Sequence, residues 1–133
     1  MSRNRKSAKQ AGRDMENCVV DYLSWALDTD VIERRRQAGS KDKGDISGVR
    51  FMGHRVVIEA KNTAKMDVAQ HLREAEEERG NDDALLGIVA QKRRGIGLNS
   101  HESQGQQLVM MTLETLALML NDGQALGPEV EKS

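Results

Sequence analysis

The stretch Gly44-Asp45-Ile46-Ser47-Gly48-Val49-Arg50-Phe51-Met52-Gly53-His54-Arg55-Val56-Val57-Ile58-Glu59-Ala60-Lys61 decides how this chain is read. Two strand-like runs, Ile46 to Phe51 and Arg55 to Ala60, flank the tight turn Met52-Gly53-His54, the pattern of a β-hairpin. The second run is β-branched at its centre, Val56-Val57-Ile58, and suits an interior strand. Asp45 immediately precedes the first run, and Glu59 follows the apolar centre of the second. A carboxylate in or beside an apolar strand costs free energy unless something compensates it. On adjacent hairpin strands the two positions can come close and repel, and a hard divalent cation such as Mg2+ or Mn2+ resolves that conflict. Lys61 lies two residues beyond Glu59, so strand alternation puts both on one face. An ammonium there can neutralise charge developing on a phosphate or help lower the pKa of a metal-bound water. The spacing alone is equally satisfied by an exposed Glu59–Lys61 ion pair on a surface hairpin.

Working outward, the segment from about Arg13 to Asp28 is helical in pattern, with Met15, Val19, Tyr22, Leu23 and Ala26 at three- and four-residue spacing. Val31 to Arg36 reads as a short strand. Beyond Lys61, a helix is predicted from about Asp67 to Arg79, stopped by Gly80-Asn81, with Glu76-Glu77-Glu78 as a solvated face. Leu85 to Ala90 is a strand, Arg93 to Gly105 a glycine-containing loop and a candidate for mobility. Leu108 to Met111 is a last strand, leading into an apolar helix from Leu113 to Leu120. The order αβββαββα predicts an α/β or α+β fold, a central mixed β-sheet flanked by helices. Residues 1–12 read as a flexible basic arm, 13–122 as a single domain and 123–133 as a frayed tail.

The 133 residues, 38% apolar and 31% charged, suit one soluble domain rather than a disordered chain. One Trp, one Tyr and one Phe disfavour recognition of single strands by base stacking. No run approaches the roughly 20 apolar residues that span a bilayer, so no membrane partner is expected. Met1 to Gly12 lacks the hydrophobic segment of a secretory signal. Cys18 is alone, which excludes an internal disulfide and a multi-cysteine zinc site. These features predict a cytoplasmic protein. The net charge of −1 hides an asymmetry: residues 1–65 carry 14 Lys/Arg against 9 Asp/Glu, whereas 66–133 carry 6 against 12. A basic half is compatible with a phosphate-binding face.

Two further features favour chemistry over a surface ion pair. At about 100° per residue, Glu16 falls on the line of Val20, Leu23 and Leu27, within the apolar arc of the first helix. A carboxylate there wants a metal or a cation, unless it snorkels to solvent or favours the positive end of the dipole. Arg36-Gln37-Ala38-Gly39-Ser40, just before Asp45, can offer backbone N–H groups, a hydroxyl and a guanidinium to phosphates. By contrast His54, His71 and His101 are dispersed, without zinc-site spacing. Lys92-Arg93-Arg94 reads equally as a phosphate contact or a solvated charge run, and Gln70 as structural or exposed.

Taken together, Gly12-Arg13 with Glu16, Arg36 to Ser40, Gly44-Asp45-Ile46 and Ile58-Glu59-Ala60-Lys61 resemble the archaeal-type Holliday junction resolvases, compact members of the PD-(D/E)XK nuclease superfamily. The likeness is close over residues 12–61 and loose beyond; Gly44 stands where the motif's name has proline. The resemblance implies a restriction-endonuclease-like core and a homodimer that cuts DNA four-way junctions with one or two Mg2+ (or Mn2+) ions per site. It implies Asp45 and Glu59 as principal metal ligands, Glu16 and the Ala60 carbonyl completing the site, Lys61 as catalytic lysine and Ser40 near the scissile phosphate. Arg13 and Arg36 would grip the DNA backbone, with Lys41, Lys43, Lys65 and Lys92 as further candidate contacts. A flap, fork or duplex nuclease of the same superfamily, a non-catalytic DNA-binding module and a protein–protein adaptor are the alternatives. A phage or mobile-element origin fits so compact a nuclease.

Overall fold

The computed structural model describes residues 4–35 and 45–128. Helix α1 (Arg5–Ala26) opens on Asn4, whose side chain accepts from the Ser7 N–H at 2.8 Å, satisfying one of the free donors of the first turn. The helix therefore begins eight residues before Arg13 and takes in most of the stretch that composition reads as an arm. Its first turns carry exposed Arg5, Lys6 and Lys9, so they lack an apolar stripe that would betray the helix. Further along, Met15, Cys18 and Val19 are buried.

Strand β1 (Glu33–Arg34) pairs antiparallel with β2 (Ile46–Ser47), and the Arg35 N–H donates to the Asp45 carbonyl at 2.7 Å. The expected strand Ile46 to Phe51 is broken in two at Gly48, whose φ of +89° lies in the left-handed region. A Cβ at that position would run into the Val31 carbonyl oxygen, so only glycine fits. After the break β3 (Arg50–Phe51) forms the hairpin with β4 (His54–Lys61). Met52 and Gly53, at φ +50° and +82°, make the two-residue turn, while His54 already pairs with Phe51.

Helix α2 (Val68–Asn81) carries the chain over to β5 (Leu86–Gln91), which runs parallel to β4 in the register Val57↔Gly87, Glu59↔Val89, Lys61↔Gln91. Strand β6 (Leu108–Met110) pairs antiparallel with β5, and α4 (Leu113–Leu120) follows. The sheet order is β3-β4-β5-β6. The molecule is thus α+β, a mixed sheet of parallel and antiparallel strands flanked by helices. The segment 93–105 holds a short helix, α3 (His101–Gln104), and side-chain amides tie it down: Gln104 donates to the Leu98 carbonyl and Gln107 to that of Gly97, both at 2.9 Å.

Alternation along β4 sorts the two faces. Val56, Ile58 and Ala60 join Met15, Cys18, Val19, Leu86 and Ala90 in the core under α1. Met15 is 1% exposed, and its truncation to alanine is worth about 2–5 kcal/mol. Val57, Glu59 and Lys61 point the other way, toward α2, which buries His71, Ala75 and Glu78. Glu78 is thus not on a solvated face, although Glu76 and Glu77 are exposed. The helix sits close because residue 87 has no side chain: a Cβ there would meet the Ala75 carbonyl oxygen at 2.9 Å. On the α1 face an apolar cleft of about 360 Å³ opens between α1, the sheet and the β6–α4 end, walled by Met15, Tyr22, Phe51, Leu86 and Met119.

Candidate active site

The break at Gly48 leaves β2 free to lie beside β4, and Asp45 at its start reaches the far end of that strand. The Asp45 N–H donates to the Ile58 carbonyl at 3.4 Å, and its Oδ2 accepts from the Ala60 N–H at 2.9 Å. The two carboxylates predicted to converge do so: burial, then the charge of Glu59, push the Asp45 carboxyl up to about 7, with Glu16 adding to the effect. The Ala60 N–H and Lys61 work against that rise without cancelling it.

Glu59 is 6% exposed. Its Oε1 lies 3.2 Å from Lys61 Nζ, while its Oε2 is buried without a hydrogen-bond partner. Lys61 makes a second, shorter contact, 2.9 Å to Glu74 Oε2 on α2. Burial works to lower the Lys61 ammonium, but the bond from Glu74 and the charge of Glu59 overcome it and hold the group above its ordinary value. Lys61 therefore stays charged. The Glu59–Lys61 pair is real but not the surface pair of the simpler reading, since both side chains are mostly buried.

Glu16 comes in from α1, close enough to bear on Asp45, and pairs with Arg34 Nε at 3.0 Å. Arg13 stands three residues earlier on the helix and is exposed. The helix is tied to this end of the sheet by Asn62, whose amide donates to the Ala11 carbonyl at 3.1 Å. Lys92 also belongs here, because its N–H donates to the Lys61 carbonyl at 2.8 Å. Lys65 lies exposed in the turn after β4. The C-terminal ends of β4 and β5 thus gather Lys61, Lys65, Lys92, Arg93 and Arg94. Arg36, Ser40, Lys41 and Lys43 lie outside the described residues, as does Gly44.

Three polar residues join the site that the sequence does not place there. Glu74 is hidden by the acidic run that follows it. Gln91, 1% exposed and in register with Lys61, leaves its Oε1 without a partner; the signal was a glutamine ending an apolar run. His71, 4% exposed, faces the sheet with Nδ1 unpartnered. The remaining histidines are elsewhere: His54 begins β4, at the opposite end from Lys61, and His101 stacks on Trp25 with ring centroids 4.2 Å apart. Cys18 is buried in the core, and burial pushes its thiol up to about 11, which leaves it inert as a nucleophile. Gln70 is exposed and donates its backbone N–H to Asp67, the cap of α2.

Among the described residues no group of three or more His, Cys, Asp or Glu side chains stands assembled for a metal ion. The donor chemistry still suits a hard cation. Glu59 Oε2 is buried without a hydrogen-bond partner, and burial, then the carboxylates around it, drive Asp45 toward its neutral form. No family model, curated protein or solved structure matches this chain. No helix of the described residues is long and apolar enough to cross a membrane.

Proposed function

We propose that the chain is a metal-dependent DNA endonuclease of restriction-endonuclease-like fold, acting on four-way junctions. One observation carries the reading: Asp45 and Glu59 converge at the end of β4 with a buried carboxylate oxygen unsatisfied and a charged lysine alongside. A buried ion pair with one carboxylate oxygen unsatisfied, beside a second buried carboxylate, is a poor way to stabilise a sheet. The same groups are well placed to hold a cation and a phosphate.

Asp45 and Glu59 would hold Mg2+ or Mn2+, with Glu16 and the Ala60 carbonyl in support. Such an ion supplies Lewis-acid polarisation of the phosphate and an activated water. Lys61, kept charged by its carboxylate neighbours, stabilises negative charge building on the phosphoryl oxygens as the P–O bond breaks. Arg13, Lys65 and Lys92 supply positive charge around the site for the flanking backbone, with Arg36, Ser40, Lys41 and Lys43 expected to join them from the segment before Asp45.

The choice of a junction rests on the motif resemblance, and a paired cut needs two sites. A surface for a second copy is available: α4 buries none of its residues, and Leu113 and Leu120 are 81% and 78% exposed. A DNA-binding module without cleavage is the second reading, favoured by the carboxylates already being engaged by Ala60 and Lys61. Labelled four-way junction, flap and linear duplex, incubated with Mg2+ or Mn2+ and wild type or Asp45→Asn, decide between them. Junction cleavage abolished in the variant supports the proposal. Equal cutting of flaps or duplex moves the substrate, and binding without cutting under any condition selects the module.

A further inference from the structure

We infer that Glu74 is a positioning residue for Lys61, a role that rests on the nuclease reading above. Lys61 Nζ lies between two carboxylates on different elements, Glu59 Oε1 at 3.2 Å on its own strand and Glu74 Oε2 at 2.9 Å on α2. Glu59 cannot serve as the lasting anchor. A cation held by Glu59 would draw on the same carboxylate charge, and the attraction that Lys61 receives from it would fall. A lysine is a point charge on a four-carbon stem with many rotamers, so a single weakened bond leaves its ammonium poorly placed. Glu74 stands on α2, a different element from Glu59, and its hold on Lys61 does not pass through Glu59.

The support behind Glu74 is consistent with that task. Gln70, one turn earlier, hydrogen-bonds the Glu74 side chain. Helix α2 is seated against the sheet through buried His71 and Ala75, which flank Glu74 in sequence. Displacement of a reacting group by about 1 Å can cost about 100-fold in rate. An ordinary surface ion pair would instead add a little stability and nothing to turnover.

The test compares wild type, Glu74→Gln, Glu74→Asp, Lys61→Ala and the double variants Glu74→Gln/Lys61→Ala and Glu74→Asp/Lys61→Ala in steady-state junction cleavage with Mg2+, and with Mn2+ in parallel. Circular dichroism confirms folding. Glu74→Gln is expected to lower kcat about 10- to 100-fold while KM and the Mg2+ half-saturation stay within about twofold. Glu74→Asp, which keeps the charge, is expected to fall between it and wild type. In the Lys61→Ala background Glu74→Gln is expected to add no further loss.

Wild-type kcat in Glu74→Gln overturns the inference, as does a loss seen only in KM or one that persists undiminished without Lys61. Should Glu74→Gln not fold, the comparison passes to Glu74→Asp. Its shorter reach must lower kcat with Lys61 present and have no effect without it; any other result overturns the role. A wild type that cleaves nothing with either cation removes the nuclease reading and this inference with it.

Discussion

The Asp45 carboxylate accepts the Ala60 N–H at 2.9 Å, one residue beyond Glu59 on the same strand. A single backbone bond thereby fixes an acid beside a second acid, in a place where burial already disfavours charge. The arrangement is a liability for folding and, under the proposed function, an asset for binding cations, and the two can be separated experimentally.

Without metal, stability should fall as pH rises from about 4 to about 7.5. Asp45 is raised to about 7 from an unfolded value near 3.8, so folding favours its protonated form. That contribution is complete below the unfolded value and vanishes as pH climbs through 7. Melts in EDTA should show Tm dropping by roughly 5 °C over this window, and Asp45→Asn should flatten the dependence and melt above wild type at pH of about 8. Added Mg2+ at that pH should restore wild-type Tm and leave the variant unmoved. A flat wild-type profile would remove the electrostatic conflict on which the site is argued.

Glu16 is predicted to tune the cation rather than define it. It reaches the site from a helix and is shared with Arg34 at 3.0 Å. Glu16→Gln should raise the Mg2+ half-saturation of cleavage about tenfold, with activity recovering at high Mg2+. Arg34, 44% exposed, should matter little to folding, and Arg34→Ala should melt within about 1 kcal/mol of wild type. Complete loss of activity in Glu16→Gln at saturating Mg2+ would make it a principal ligand instead.

Lys92, Arg93 and Arg94 continue from the strand end beside Lys61. If they bind phosphates, replacing all three with alanine should weaken junction binding and flatten its salt dependence by about 0.9 in log–log slope for each phosphate no longer neutralised. Binding titrations at several salt concentrations read this directly. An unchanged slope would return these residues to the solvated charge run that the sequence equally allows.

Helix α4 should be where two copies meet. Leu113→Glu with Leu120→Glu alters two exposed positions and no buried one, so folding should survive. Light scattering should give the mass of two chains for wild type and one for the variant. A monomeric wild type would end the paired-cut model while leaving nicking by a single site open to test.

Much of this geometry is legible in the sequence, for identifiable reasons. The convergence of Asp45, Glu59 and Lys61 follows from alternation along an apolar strand and from the tight turn read at Met52-Gly53-His54, both local rules, although His54 itself already belongs to the strand. The break at Gly48 is hidden because Val49 and Phe51 continue a strand-like pattern, while the collision that demands glycine comes from Val31, far back in sequence. The early start of α1 does leave a trace, since Asn4 with Ser7 is a capping pair. That trace is outweighed by the absence of apolar residues in turns that touch no core. Glu74 is illegible: an acid in an acidic helix acquires meaning only once the helix is laid across Lys61.

The hydrogen atom at position 87 has a reach well beyond its strand. Because nothing larger stands there, the Ala75 turn of α2 rests on the sheet backbone itself, and Glu74 immediately before it is carried down to the level of the lysine. A methyl group in that spot would act as a shim, lifting the whole helix and opening the gap at Lys61 without touching any residue of the site. The chain thus hides one of its calibration marks in the plainest residue of a buried strand, where a search for reactive side chains would never look.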